Sequence, residues 1–146
     1  MVNLSFMKLV VLFSLLFFLS LTSVHGQGQT LTVVVQGVKS DQGLLHMGLY
    51  DSDKEFMKTR WQSKGSKAKV GEVQVVFEHV PPGTYAISVF HDANENGKLD
   101  SNFAGIPKEG FGFSNNAMGM FGPPSFEEAK FAFEGEKKIE IMLRYR

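Results

Sequence analysis

The chain has 146 residues, of which 15 are basic and 15 acidic, and it contains no cysteine. This length suits one domain with a substantial core, and the missing cysteine excludes disulfides, thiol catalysis and cysteine-ligated metal sites. The balanced charge argues against nucleic acid or an anionic membrane as the main partner, because both attract a basic surface.

Residues 1–26 have the pattern of a cleaved signal peptide. Lys8 is the only charged residue there, an apolar run follows it, and Val24 and Gly26 place small residues just before Gln27. The apolar run is shorter than the roughly 20 residues that span a bilayer, although a retained N-terminal anchor remains the alternative. We therefore expect a secreted or periplasmic protein with a single domain at residues 27–146, without a lipid anchor and without a transmembrane segment after processing.

The rest of the chain alternates apolar and polar residues in short runs, which is typical of half-buried strands. In chain order the predicted strands include residues 31–36, 45–49, 73–77, 84–91 and 139–145. One short helix is predicted between Asp51 and Trp61, with Ser52 and Glu55 as a capping box, and a second near Ser125. Residues 64–69 are interpreted as an exposed basic loop.

These elements predict an all-β fold, because no strand–helix–strand rhythm is present. We expect an antiparallel β-sandwich of about seven strands, immunoglobulin-like or prealbumin-like, with one or two short helices. A closed eight-stranded barrel would need more strand segments than the sequence offers.

The most distinctive motif follows the strand that ends at His91. Oxygen-bearing side chains alternate along residues 92–100 with a glycine at the sixth position, as in calcium-binding loops. The predicted ligands are the side chains of Asp92, Asn94, Asn96 and Asp100 and the backbone carbonyl of Lys98. The twelfth position is Phe103 rather than a bidentate glutamate, so Glu109 or Asp53 would have to complete the site.

Two interpretations of this loop stay open. Calcium would bind weakly, with a dissociation constant on the order of 10⁻⁴ to 10⁻³ M, because strong carboxylate ligands are few. Alternatively the residues form only a turn, since Asp, Asn and Gly are also the preferred turn formers.

The segment from Phe103 to Phe126 shows neither a strand nor a helix period and is rich in glycine and phenylalanine. Such long connections are often functional, but the aromatic side chains would equally well fold back as a cap on the sandwich. The candidate ligand- or partner-binding residues are His91, Phe111, Phe113, Asn115 and Asn116.

Known catalytic patterns find little support in the sequence. His91 shares a strand face with Ile87 and Val89, which is typical of a core histidine, although its neighbour Asp92 leaves an acid–base role open. There is no zinc-binding histidine spacing, no nucleophile elbow and no phosphate-binding loop.

Three motifs in order, at residues 91–100, 105–116 and 121–126, resemble an exported bacterial family catalogued as domain of unknown function 2141. The resemblance extends from Leu31 to Tyr145. It implies a transthyretin- or immunoglobulin-like sandwich in an exported protein, and it implies no activity.

The sequence thus favours a non-enzymatic exported binding or accessory module with a calcium-binding loop at residues 92–100. Its partner would be a protein or small ligand of the exported compartment. The alternatives are a hydrolase-like enzyme that uses His91 with Asp92 or Glu109, and a structural interaction protein without a metal.

Overall fold

The computed structural model describes residues 29–146, so the signal peptide predicted at residues 1–26 lies outside the described part. Within residues 29–146 no helix is long and apolar enough to cross a membrane.

The described residues form two β-sheets. The strands are β1 (Leu31–Val38), β2 (Leu44–Tyr50), β3 (Gln62–Lys67), β4 (Gly71–Phe77), β5 (Gly83–Asp92), β6 (Phe111–Phe113), β7 (Phe131–Phe133) and β8 (Lys137–Met142). A 3-10 turn covers Ser114–Asn116, and one short helix, α1, covers Phe126–Ala129. One sheet has the order β4-β1-β8, the other has the order β3-β2-β5-β6, and β7 pairs with the far end of β5.

The predicted β-sandwich is confirmed, and its main core lies between the sheets. On β2, Leu45, Met47 and Leu49 point into this core, as the alternating sequence predicts. They meet β1 residues such as Val33 and Val35 from the opposite sheet. Among the strands of residues 29–146, the one departure from antiparallel pairing is β8, which runs parallel to β1.

A second apolar cluster covers the outer face of the larger sheet. It contains Tyr50, Phe56, Ala86, Phe111, Phe113, Phe126 and Ala129. The phenylalanines at 111, 113 and 126 therefore cap a sheet face, whereas Phe103 and Phe121 are fully exposed. The long segment after β5 is thus partly a structural cover.

Two local predictions were wrong. The basic residues 64–69 do not form a loop, because β3 pairs with β2 from Gln62 to Lys67. The helix predicted between Asp51 and Trp61 is replaced by turns: Met57 has a φ of 60°, outside the helical range. Ser52 does not cap a helix either, since its hydroxyl donates to the carboxylate of Asp51.

The second predicted helix is confirmed as α1. The Ser125 hydroxyl accepts a hydrogen bond from the Glu128 backbone N–H at 3.3 Å, and the Glu128 carboxylate accepts one from the Ser125 N–H at 2.8 Å. This reciprocal capping box satisfies two helix-end donors, which explains why so short a helix forms here.

Candidate functional site

The 92–100 loop begins at Asp92, the last residue of β5, whose side chain is only 1 % exposed. Its carboxylate accepts backbone hydrogen bonds from Asn96 at 3.0 Å and Gly97 at 2.8 Å. The ring Nε2 of His46 donates a third bond to it at 3.1 Å. These bonds fold the chain back on itself, helped by positive φ angles at Glu95 and Gly97.

Three polar side chains of the loop converge on one another. The amide nitrogen of Asn94 donates to Asp100 at 2.7 Å, and that of Asn96 donates to the two Asp100 oxygens at 3.0 and 3.1 Å. The amide oxygen of Asn96 accepts the Lys98 N–H at 2.8 Å. Three of the predicted ligand side chains, those of Asn94, Asn96 and Asp100, therefore contact one another at the surface.

Glu109 reaches this loop from the following segment. Its carboxylate is largely buried and accepts the backbone N–H groups of Ala93 and Asp100, each at 2.9 Å. One side chain thus fastens both ends of the loop. Glu109 thus lies beside the loop, where the sequence analysis expected a further ligand, and each of its two carboxylate oxygens already accepts a backbone N–H.

Burial raises the pKa of Asp92, but the hydrogen bonds from Gly97, Asn96 and His46 outweigh it and hold the pKa below its ordinary value. The Asp92 carboxylate is therefore charged at neutral pH, and its charge is met by oriented N–H groups. The Asp92 carboxylate therefore stabilises the conformation of the loop.

The loop offers carboxylate, amide and carbonyl oxygens, the donor types that hard cations prefer. Among residues 29–146, however, no three His, Cys, Asp or Glu side chains are grouped so that they could hold a metal ion. Any cation here would depend on the neutral oxygens of Asn94 and Asn96 beside the carboxylates of Asp92 and Asp100.

His91 points to the opposite side of the sheet from this loop. It is 2 % exposed, and its Nε2 donates to the Gln42 carbonyl at 2.7 Å. Its Nδ1 therefore accepts from the Tyr145 hydroxyl at 2.9 Å, and that hydroxyl in turn accepts the Lys39 backbone N–H at 3.1 Å. Both ring nitrogens are occupied inside the protein, so His91 is placed as a structural residue.

Asn115 and Asn116 also make structural contacts. The amide of Asn115 donates to the carbonyls of Glu128 at 3.2 Å and Lys130 at 2.8 Å. The amide oxygen of Asn116 accepts the Met142 N–H at 2.8 Å. Both residues have positive φ angles, which asparagine tolerates better than most residues, so their turn geometry accounts for them.

Phe111 and Phe113 do line an open groove of about 620 Å³ on the outer face of the larger sheet. Residues that the sequence did not single out share it, including Tyr50, Arg60 and Ser88. The sequence signal that could have pointed to this groove is Gly48, because a glycine inside a strand often marks a place where another group closely approaches the backbone.

Residues 33–141 match the bacterial family described as "Uncharacterized protein conserved in bacteria (DUF2141)". The match covers most of the chain and all three of the motifs at residues 91–126. No curated protein and no solved structure is significantly similar to the chain.

Proposed function

The chain belongs to this bacterial family, and from that premise we propose that it is a non-catalytic binding domain of an exported compartment, with a calcium ion stabilising its 92–100 loop. The observation that carries the proposal is the convergence of Asn94 and Asn96 on the carboxylate of Asp100. Export is supported by the signal-peptide pattern of residues 1–26.

A cation would fit this arrangement if two side-chain amides turned. A turn of 180° would present the amide oxygens of Asn94 and Asn96 to the space that they share with Asp100, in exchange for the bonds that these oxygens now accept from the Asn96 and Lys98 backbone N–H groups. The two carboxylates of Asp92 and Asp100 would balance the ion's charge. Calcium suits such a site better than magnesium, because it accepts irregular sets of oxygen ligands.

A non-catalytic role is supported by the position of His91, which the hydrolase-like alternative needs together with Asp92 or Glu109. His91 is buried with both nitrogens bonded, and it lies on the other sheet face from Asp92. An acid–base residue must reach the proton that it transfers, and this one faces the core.

The test is thermal unfolding of residues 27–146 in EDTA and in millimolar calcium chloride. At a calcium concentration tenfold above the dissociation constant, binding to the folded state adds about 1.4 kcal/mol, which raises the midpoint by several degrees. Asp100→Asn should lose most of this rise. The control variant Asp41→Asn changes an exposed aspartate in another turn, and its unfolding midpoint should still rise with calcium.

Equal midpoints in EDTA and calcium would overturn the calcium part of the proposal. The hydrogen bonds of Asp92, Asp100 and Glu109 would then hold the loop alone, and the protein would be an interaction domain without a metal.

A further inference from the structure

The groove on the outer face of the larger sheet has an apolar floor. The nearly buried rings of Tyr50, Phe111 and Phe113 line it, together with the partly buried side chains of Phe90 and Leu99. Its walls are the turns at residues 57–60 and the end of the 92–100 loop at residues 97–99. Its volume of about 620 Å³ lies within the range of small-molecule sites.

The rim of this groove is positively charged. Lys58, Arg60 and Lys98 line it, and no aspartate or glutamate does. The ion pairs found within residues 29–146 are His46–Asp92 and Lys130–Glu127, so none of the three cations has a carboxylate partner there. This cationic rim stands out in a chain whose overall charge is balanced.

The Arg60 side chain lies against the sheet at Gly48. A Cβ atom at Gly48 would lie 2.8 Å from the Arg60 Cδ, so the arginine stem crosses the strand where a side chain is missing. The apolar stem covers the sheet while the guanidinium stays free for an anion.

A buried pair of hydroxyl groups adds a polar contact to the groove. The Tyr50 and Ser88 oxygens lie 3.2 Å apart, and the two residues are 2 % and 8 % exposed. Two hydroxyls carry two hydrogens, but their mutual bond uses only one, and neither donates to another group within residues 29–146. Both residues line the groove, so the second hydrogen can be donated to an acceptor on a bound ligand.

We infer that this groove binds a small carboxylic acid with an apolar body. The apolar part would rest on the aromatic floor, and the carboxylate would meet Arg60, a lysine and the free hydroxyl hydrogen. The inference rests on the proposed binding function, to which it adds a ligand class, but it does not need the calcium ion.

The test is a titration of the folded protein with phenylacetate, followed by amide NMR shifts, in EDTA and again in calcium. Phenylacetamide, which has the same shape without the charge, is the matched ligand control. We expect saturable shifts at Ser88, Leu99, Phe111 and Phe113 with phenylacetate, and binding of the amide that is weaker by roughly fivefold or more.

Two variants should weaken phenylacetate binding. Arg60→Gln removes the charge, and Tyr50→Phe removes one hydroxyl; each should raise the dissociation constant by about two- to fivefold. The matched controls, Arg144→Gln and Tyr85→Phe, change the same residue types outside the groove and should bind as the parent does.

Equal affinity for phenylacetate and phenylacetamide, shifts confined to other surfaces, or no saturation at tens of millimolar would overturn the inference. Binding in EDTA without any calcium stabilisation would support the groove and refute only the calcium site. Stabilisation by calcium without phenylacetate-dependent NMR shifts in the groove would support the calcium site and refute the groove.

Discussion

Glu109 provides the sharpest test of how the loop is held. Its carboxylate accepts the N–H groups of Ala93 and Asp100, each at 2.9 Å, and it is largely shielded from water. Hydrogen bonds to a charged group contribute about 1.5–3 kcal/mol each, and water replaces part of that near the surface. Glu109→Gln keeps one acceptor but turns an NH₂ group toward the other N–H, so we expect a loss of about 2–3 kcal/mol.

The loss should be local to the loop, so hydrogen exchange of the Ala93 and Asp100 amides is the direct assay. At tenfold per 1.4 kcal/mol, their exchange should accelerate by roughly 30- to 150-fold. Glu95→Gln is the control, because Glu95 is an exposed acid in the same loop. Unchanged exchange in Glu109→Gln, or an equal change in Glu95→Gln, would refute the role assigned to this carboxylate.

Two further predictions concern the base of the loop. The pKa of Asp92 is held below its ordinary value of 3.8, so the carboxylate contributes stability above that pH that is lost as the pH falls through the lower, folded-state value. Urea unfolding from pH 7 down to acid should therefore show a decline that Asp92→Asn flattens, and identical pH curves for the two proteins would contradict this. Gly43 and Gly105 have nearly equal φ angles of 73° and 75°, but only at Gly43 would a Cβ meet backbone, 2.0 Å from the Asp92 carbonyl oxygen. Gly105→Ala should thus cost only the strain of about 1 kcal/mol, and Gly43→Ala about 2 kcal/mol more in the free energy of unfolding; equal costs would show that the chain relaxes freely there.

Alternating apolar residues were enough to predict the main core. On β1, β2, β4 and β5 the side-chain period of two decides which residues are buried, so a single sequence contains the information. The same holds for α1, where Ser125 and Glu128 form a complete capping box within four residues. Such features depend on near neighbours in the chain.

The features that the sequence did not reveal depend on distant partners. β3 reads as a polar loop because its side chains barely enter the core, and it becomes a strand by pairing with the edge of β2. β6 has only three residues, and its pairing with Phe90 and Ser88 follows from a long connection whose path no local pattern specifies. The groove joins β6 to β5 and to the turns at residues 57–60, which are distant in the sequence, so its cations and hydroxyls could not be grouped from the sequence.

The neighbours His91 and Asp92 show how strand geometry separates two residues that the sequence suggested as an acid–base pair. Successive side chains on a strand point to opposite faces, so adjacency in the sequence separates these two residues in space. His91 follows Ile87 and Val89 toward the core and bonds Tyr145, whereas Asp92 follows Ser88 and Phe90 to the outer face and bonds His46. The outer face also carries the groove, and Gly97 and Lys98 belong to both the loop and the groove wall. A ligand that ordered the loop would therefore reach the groove wall through a few residues of shared backbone, whereas His91 lies on the other face of the sheet.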